Sequence, residues 1–145
     1  FFKNACEYLK IYNPYSPTKE GKWLTNVGSD CLQGYDQLHE TGDLLIITKS
    51  LKDVMVYYEM GISAVGLQAE TNKISKKSWN ELNKRFKRVV INLDADDQGY
   101  TSTGDLLLEH DIEFFFIHHL FKDISDYTKE FGLVHAKKLI KNKLK

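Results

Sequence analysis

Three carboxylates follow an apolar run in the segment Arg88-Val-Val-Ile-Asn-Leu-Asp-Ala-Asp-Asp-Gln-Gly99. Asp94 and Asp96 are two positions apart, so on an extended backbone their side chains share one face. Two hard oxygen ligands side by side suit Mg²⁺, which takes a few carboxylates and keeps the rest of its shell for water and phosphate. Gly99 permits a sharp turn into a following helix. The same acids have a second use, because Asp is a good N-cap and acids are favoured in a first helical turn. A single cap does not need three carboxylates, so the excess points toward a ligand.

The elements that must hold these groups begin at Asp43, where short apolar runs alternate with amphipathic stretches. That pattern predicts βαβ units on a mostly parallel sheet of about four strands flanked by helices, an α/β fold. Strands are expected over 44–48, 64–67, 89–93 and 112–117. Ser50 can cap a helix over 51–60 that stops at Gly61, and Ser75 can cap one over 76–86 that buries Trp79, Leu82 and Phe86. A further helix is expected over about 100–110, and the tail from Ser125 reads as helical and basic. Crossovers between parallel strands are right-handed, and functional groups collect at the carboxyl ends of the strands. Those ends carry Thr48, Lys49 and Ser50, then Gln68 and Glu70, then Asp94 to Asp97, then Lys122, Asp123 and Asp126.

Composition sets wide bounds. A chain of 145 residues with 42% hydrophobic and 28% charged residues is one ordinary globular domain with room for a small appendage. The 20 basic and 20 acidic residues cancel, so any nucleic-acid site must be a local patch rather than a global field. Cys6 and Cys31 lack the spacing of a zinc site and read as reduced thiols. The longest apolar run, 114–117, is too short to span a membrane. The start at Phe1 suggests a piece of a longer protein. Residues 1–42 hold both prolines and the aromatics Tyr8, Tyr12, Tyr15, Trp23 and Tyr35 with interleaved lysines, and read as a separate small α+β element. These aromatics are expected in packing, with stacking on single-stranded bases as the alternative. Leu51, Met55 and Tyr58 are likewise expected to pack. His118 and His119 are adjacent on a strand and so point to opposite faces, which suits a surface pair better than metal ligation. Lys76, Lys77, Lys84, Arg85, Lys87 and Arg88 form either a DNA-facing surface or a solvated one, and the same holds for Lys137, Lys138, Lys141, Lys143 and Lys145.

Three motifs recur in order at the strand exits: Thr48-Lys49-Ser50-Leu51-Lys52-Asp53, Asp94-Ala95-Asp96-Asp97-Gln98-Gly99 and Lys122-Asp123-Ile124-Ser125-Asp126. Together they resemble the Toprim domain of DnaG-type primases, and more specifically that of bacteriophage primases and primase-helicases. The resemblance spans about residues 43–131 and is most specific over 45–54 and 90–99. It implies a Toprim-like fold preceded by part of a primase-core subdomain in 1–42 and followed by a basic helix or linker in 132–145. It further implies Mg²⁺, replaceable by Mn²⁺, on Asp94 and Asp96, with Asp53, Asp123 or Asp126 completing the acidic pocket. Lys49, Lys52, Lys84, Arg85 and Lys122 would then contact phosphate or nucleic acid. The implied reaction is RNA primer synthesis from ribonucleoside triphosphates on single-stranded DNA, beside a replicative helicase in cis or in trans, in a bacterial or phage-infected cytoplasm.

The chain departs from the family at one position: Lys49 stands where the first strand of a Toprim domain ends in Glu. Lys49 could bind phosphate directly, or pair with Asp94 and stand in for a metal's charge; alternatively Glu70, at the neighbouring strand exit, could supply the missing carboxylate, and otherwise the site is metal-weak or inactive. The departure leaves a catalytic centre, with Lys49, Asp53, Asp94 and Asp96 as its reacting groups, and a non-catalytic DNA-binding or helicase-docking module both open. A Toprim nuclease is a third possibility. A phosphoacceptor receiver domain fits poorly, because its acidic pair should leave the first strand.

Overall fold

The computed structural model of the chain describes residues 2–3, 6–7, 9–28, 30–69, 73–117 and 120–145. Glu70, His118 and His119 therefore lie outside the described residues, as does Tyr8. Two antiparallel ribbons come first, β1 (Phe2–Lys3) with β2 (Cys6–Glu7) and β3 (Lys10–Tyr12) with β4 (Trp23–Thr25). Between and after them lie 3-10 turns at Glu20–Lys22 and Tyr35–Gln37. The remainder alternates: β5 (Gly42–Thr48), α1 (Leu51–Glu59), β6 (Ser63–Gly66), α2 (Lys76–Arg85), β7 (Phe86–Asn92), α3 (Asp97–Glu109), β8 (Glu113–Phe114) and α4 (Ile124–Lys143). The last four strands form one parallel sheet in the order β6-β5-β7-β8.

Alternation along β5 and β7 sends successive apolar side chains to opposite faces, which is why both strands read as continuous hydrophobic runs. On one face Leu45, Ile47, Val89 and Ile91 pack with Leu82 of α2 and Leu106 of α3. On the other, Ile46 and Val90 pack with Val54, Tyr57 and Met60 of α1 and with Ile124, Ala136 and Ile140 of α4. The two helix pairs thus sandwich the sheet. α4 kinks at Gly132, whose φ of 81° lies in the left-handed region open to glycine. Beyond the kink, Ala136 and Ile140 are fully buried while Lys137, Lys138 and Lys141 face solvent.

The segment before β5 is tied to the sheet's outer edge. Gln33 and Gly66 exchange backbone hydrogen bonds of 2.7 and 2.9 Å, covering part of the edge of β6, and Leu32 enters the core. A Cβ on Gly66 would lie 3.2 Å from the Ser50 carbonyl carbon, so a glycine lets the turn after β5 close over β6.

Several expectations need correction. The strand expected over 112–117 pairs only at Glu113 and Phe114: Phe115 N–H still reaches the Ile91 carbonyl at 3.0 Å, but the Phe115 carbonyl is taken by the Asn92 side chain, and Phe115 and Ile117 bury their side chains in the core. Phe86 begins β7 instead of ending α2, and α3 starts at Asp97, earlier than the apolar pattern suggested, because its cap is Asp96. Leu51, Met55 and Tyr58 do not pack inward. They occupy the solvent side of α1, opposite Val54, Tyr57 and Met60, and line an open apolar groove of about 810 Å³ with Leu133 of α4. Tyr12, Tyr15 and Trp23 are also exposed, Tyr12 and Trp23 resting on each other with ring centroids 4.5 Å apart. Within 1–42 the described residues contain no α-helix, only the two 3-10 turns.

Candidate functional site

The strand order creates a switch point. From β5 the chain crosses to β6 on one side, whereas β7 and β8 lie on the other, so connections diverge between β5 and β7 and leave a crevice at their carboxyl ends. Lys49 follows β5 and Asp94 follows β7, and they meet across this crevice with Lys49 Nζ donating to Asp94 Oδ2 at 2.7 Å. Three helices begin at the same edge. Ser50 caps α1, Asp96 caps α3 by accepting from Gly99 N–H at 2.9 Å, and Asp123 caps α4 by accepting from Asp126 N–H at 2.8 Å. Their amino ends contribute partial positive charge to the crevice.

Asp53, on the first turn of α1, joins Asp94 and Asp123 in a buried triad whose ligand oxygens all lie within 4.8 Å of one another. Carboxylates this close and this dry repel and lose hydration, so each must be compensated. Two hydroxyls serve Asp53, Ser50 Oγ donating to Oδ2 and Ser125 Oγ to Oδ1, each at 2.5 Å. Lys52 Nζ donates to Asp123 Oδ2 at 2.6 Å and lies 3.7 Å from Asp126. Lys122 Nζ stands 3.2 Å from Asp94 Oδ2 and 2.7 Å from Asp96 Oδ2. The backbone helps as well, with Ala95 N–H donating to the Lys122 carbonyl at 2.7 Å and fixing the loop before α4 against the exit of β7.

Proton affinities follow from these partners. Burial pushes the Asp53 carboxyl above the usual carboxylate range, with the neighbouring charge of Asp123 adding to it and the two serine hydroxyls opposing. Asp96 is held below its ordinary value by the Lys122 ammonium and the Gly99 N–H. Lys122 is correspondingly raised, by Asp96 first and Asp94 next. Burial alone would lower Lys52, but Asp123 and the other carboxylates outweigh it and hold the ammonium charged. A carboxyl with raised proton affinity, Asp53, in the same crevice as one with lowered affinity, Asp96, is a division found where acid-base or metal chemistry occurs.

Below the triad the floor is polar and satisfied. The Tyr57 hydroxyl, fully buried, donates to Asn92 Oδ1 at 2.5 Å, and Asn92 Nδ2 donates to the Phe115 carbonyl at 3.1 Å. Burial, with Asp53 and Asp123 nearby, pushes the Tyr57 hydroxyl far up, so it remains a donor.

The fold brings Lys49, Lys52, Asp53, Asp94, Asp96, Lys122, Asp123 and Asp126 together. Asp96 sits at the rim as a cap and partner of Lys122, and the mutually close oxygens belong to Asp53, Asp94 and Asp123. Lys84 and Arg85 are not brought there. They end α2 at the amino edge of the sheet, where Arg85 donates to the carbonyls of Leu38, His39 and Glu40. Sequence reasoning missed Ser125, Tyr57 and Asn92 as parts of the site. Asn92 did carry a signal, as a lone amide among the apolar residues of β7; Tyr57 carried none, because an aromatic on a helix face reads as ordinary core. Three carboxylates at this spacing fit a hard divalent cation, and Lys49, Lys52 and Lys122 are cations that could instead hold phosphate.

No family model matches the chain, and no curated protein matches it in sequence. Its fold matches that of solved primase fragments. The primase domain of bacteriophage T7 gp4, solved bound to an RNA/DNA hybrid and dTTP with the lagging-strand DNA polymerase, superposes with a TM-score of 0.63 at 18% identity over 85% of this chain and 65% of that one. The primase fragment of the T7 primase-helicase gives 0.62 at 18% identity over 82% and 52%. The zinc-binding and RNA polymerase domains of the Aquifex aeolicus primase give 0.61 at 20% identity over 93% and 39%. The chain therefore spans between about two fifths and two thirds of the length of these neighbours.

Proposed function

We propose that the chain is the Toprim-type part of a phage-type DNA primase, which makes RNA primers on single-stranded DNA from ribonucleoside triphosphates and works beside a replicative helicase. The reading rests on one observation above all: Asp53, Asp94 and Asp123 converge at the switch point of a sheet that shares the fold of primase fragments. In this reading 43–131 is the Toprim-type unit, 1–42 belongs to a neighbouring subdomain, and 132–145 extends from it as a helix.

Asp94 and Asp123, with Asp53 or the rim acids Asp96 and Asp126, would hold Mg²⁺. When bound, the ion would neutralise phosphate charge and orient the triphosphate for attack by a 3′-hydroxyl. The chain's own residues do the rest. Lys49, Lys52 and Lys122 converge on the same crevice and bind phosphate oxygens. The amino ends of α1, α3 and α4 add N–H dipoles toward the same charge. The two serine hydroxyls fix the orientation of the Asp53 carboxyl, whose proton affinity burial raises.

Incubation of the chain with Mg²⁺, labelled ribonucleotides and a single-stranded template tests the reading. Primer formation abolished by Asp94→Asn, a loss of about a hundredfold or more for a group acting on the reacting phosphate, is the expected result. A second reading has an observation in its favour: Lys49 neutralises Asp94 in place of an ion. In that case the chain is a non-catalytic module that positions DNA or docks to a helicase, and it would bind single-stranded DNA while making no primer. Template degradation with no nucleotides added would instead indicate a nuclease.

A further inference from the structure

We propose that Lys49 is the residue that controls metal entry: its ammonium acts as an internal countercation on Asp94, so that a divalent ion binds the triad only once a phosphate-bearing ligand draws the lysine away. This inference rests on the metal-centre reading above and specifies its regulation.

The Asp94 side chain is 3% exposed, and Oδ2 carries two ammonium groups, Lys49 at 2.7 Å and Lys122 at 3.2 Å. A buried carboxylate that is already paired has little to gain from an ion unless a lysine leaves, and an ion approaching it meets like charge at close range. The two lysines differ. Lys122 is half-exposed and bonds chiefly to Asp96, at 2.7 Å, with Asp94 its longer contact at 3.2 Å. Lys49 is largely covered, 28% exposed, on the strand exit itself, and its contact with Asp94 is the shorter one. Lys49 is therefore the main block and Lys122 the lesser one.

The same geometry supplies the release. A phosphate arriving at the switch point lies beside the amino ends of three helices and offers ammonium groups an anion of higher charge than one carboxylate. Moving Lys49 onto that phosphate exposes Asp94 to the ion, and ion and phosphate then stabilise each other. Binding of the two is coupled by one lysine rather than by a conformational change of the fold.

Mn²⁺ binding, measured by the electron paramagnetic resonance of the free ion, tests this without reference to activity. Lys49→Met should bind Mn²⁺ about tenfold or more tightly than the unmodified chain, and Lys122→Met about threefold or less. Lys49→Gln should behave like Lys49→Met, and thermal melts of all variants show whether each is folded. The gain should vanish when Asp94→Asn is added to Lys49→Met. With a nucleoside monophosphate as the phosphate probe, the unmodified chain should gain Mn²⁺ affinity and Lys49→Met should not.

Equal Mn²⁺ affinity in the unmodified chain and both Lys49 variants would overturn the proposal. If that binding were still lost in Asp94→Asn, the metal centre itself would stand. Equal gains with the monophosphate in the unmodified chain and Lys49→Met would overturn the release step. Absence of saturable Mn²⁺ binding from every folded variant, with and without the monophosphate, would overturn both this inference and the metal-centre reading.

Discussion

The two ends of the parallel sheet hold ion pairs of the same length and opposite meaning. At the amino end Lys87 Nζ stands 2.7 Å from Asp43 Oδ1, with the two side chains 82% and 85% exposed. At the carboxyl end Lys49 stands 2.7 Å from Asp94, with exposures of 28% and 3%. Distance alone would rank them equal. The first pair gains little, because water screens it and each side chain loses freedom in forming it. In the second, a carboxylate has been taken out of water, so each charge depends on its partner. The amino end also uses cations structurally: Arg88 clamps Glu113 and the Leu144 carbonyl, while Arg85 holds the carbonyls before β5. Charge buried at a strand exit is thus a better guide to a candidate site than the number of ion pairs.

The contrast can be broken most strongly by removing both cations from Asp94. Lys49→Met with Lys122→Met leaves a buried carboxylate without its ammonium partners and should cost about 3 kcal/mol in denaturant unfolding. Mg²⁺ should restore part of this loss if the triad takes an ion, since a ligand that binds only the folded state stabilises it. The floor of the site gives the next effect. Tyr57→Phe deprives the buried Asn92 carbonyl of its donor and should cost about 1–2 kcal/mol, with the fold otherwise intact.

A smaller change sharpens the rim. Asp96→Ala removes the cap of α3 and should cost about 1 kcal/mol, whereas Asp96→Asn keeps the capping bond. Because Lys122 and Gly99 N–H hold the Asp96 carboxyl below its ordinary value, its ionic contribution is present above about pH 4 and disappears as pH falls through the lowered folded value. Urea titrations at pH 7 and pH 3 should therefore show the unmodified chain and Asp96→Asn converging in acid. Last, Lys87→Ala at the amino end should leave the melting temperature within error. A clear loss there would mean that burial does not separate the two edges.

Much of this arrangement was legible in the chain. Ser50 and Ser75 mark helix starts because a hydroxyl can satisfy a free N–H of the first turn, and both act as caps. The apolar runs of β5 and β7 foretold strands buried on both faces, and the βα alternation placed Lys49 and Asp94 at strand exits. The course of 112–117 was not legible, because an apolar run with aromatics reads as a strand whether or not a neighbour extends far enough to pair with it. The solvent-facing Met55 and Tyr58 were missed for a related reason. Helical spacing groups residues on a face, but the neighbouring elements decide which face is covered. Tyr12 and Trp23 pair in a short ribbon in which none of the described residues is buried.

The sequence by itself determined the element order from β5 onward, the parallel α/β class and the collection of lysines and aspartates at the carboxyl ends of strands, because these depend on periodicity, capping and the handedness of crossovers. Only the tertiary structure decided which acids meet. Asp53, Asp94 and Asp123 lie on three different elements and are separated by tens of residues, yet their oxygens stand within 4.8 Å of one another. Asp94 and Asp96, neighbours in sequence, divide into a buried triad member and a capping rim residue. Likewise only the fold set Lys49 against Asp94 and left Lys87 in water. Proximity through space, and the dielectric in which each charge sits, are properties of packing, and no spacing along the chain encodes them.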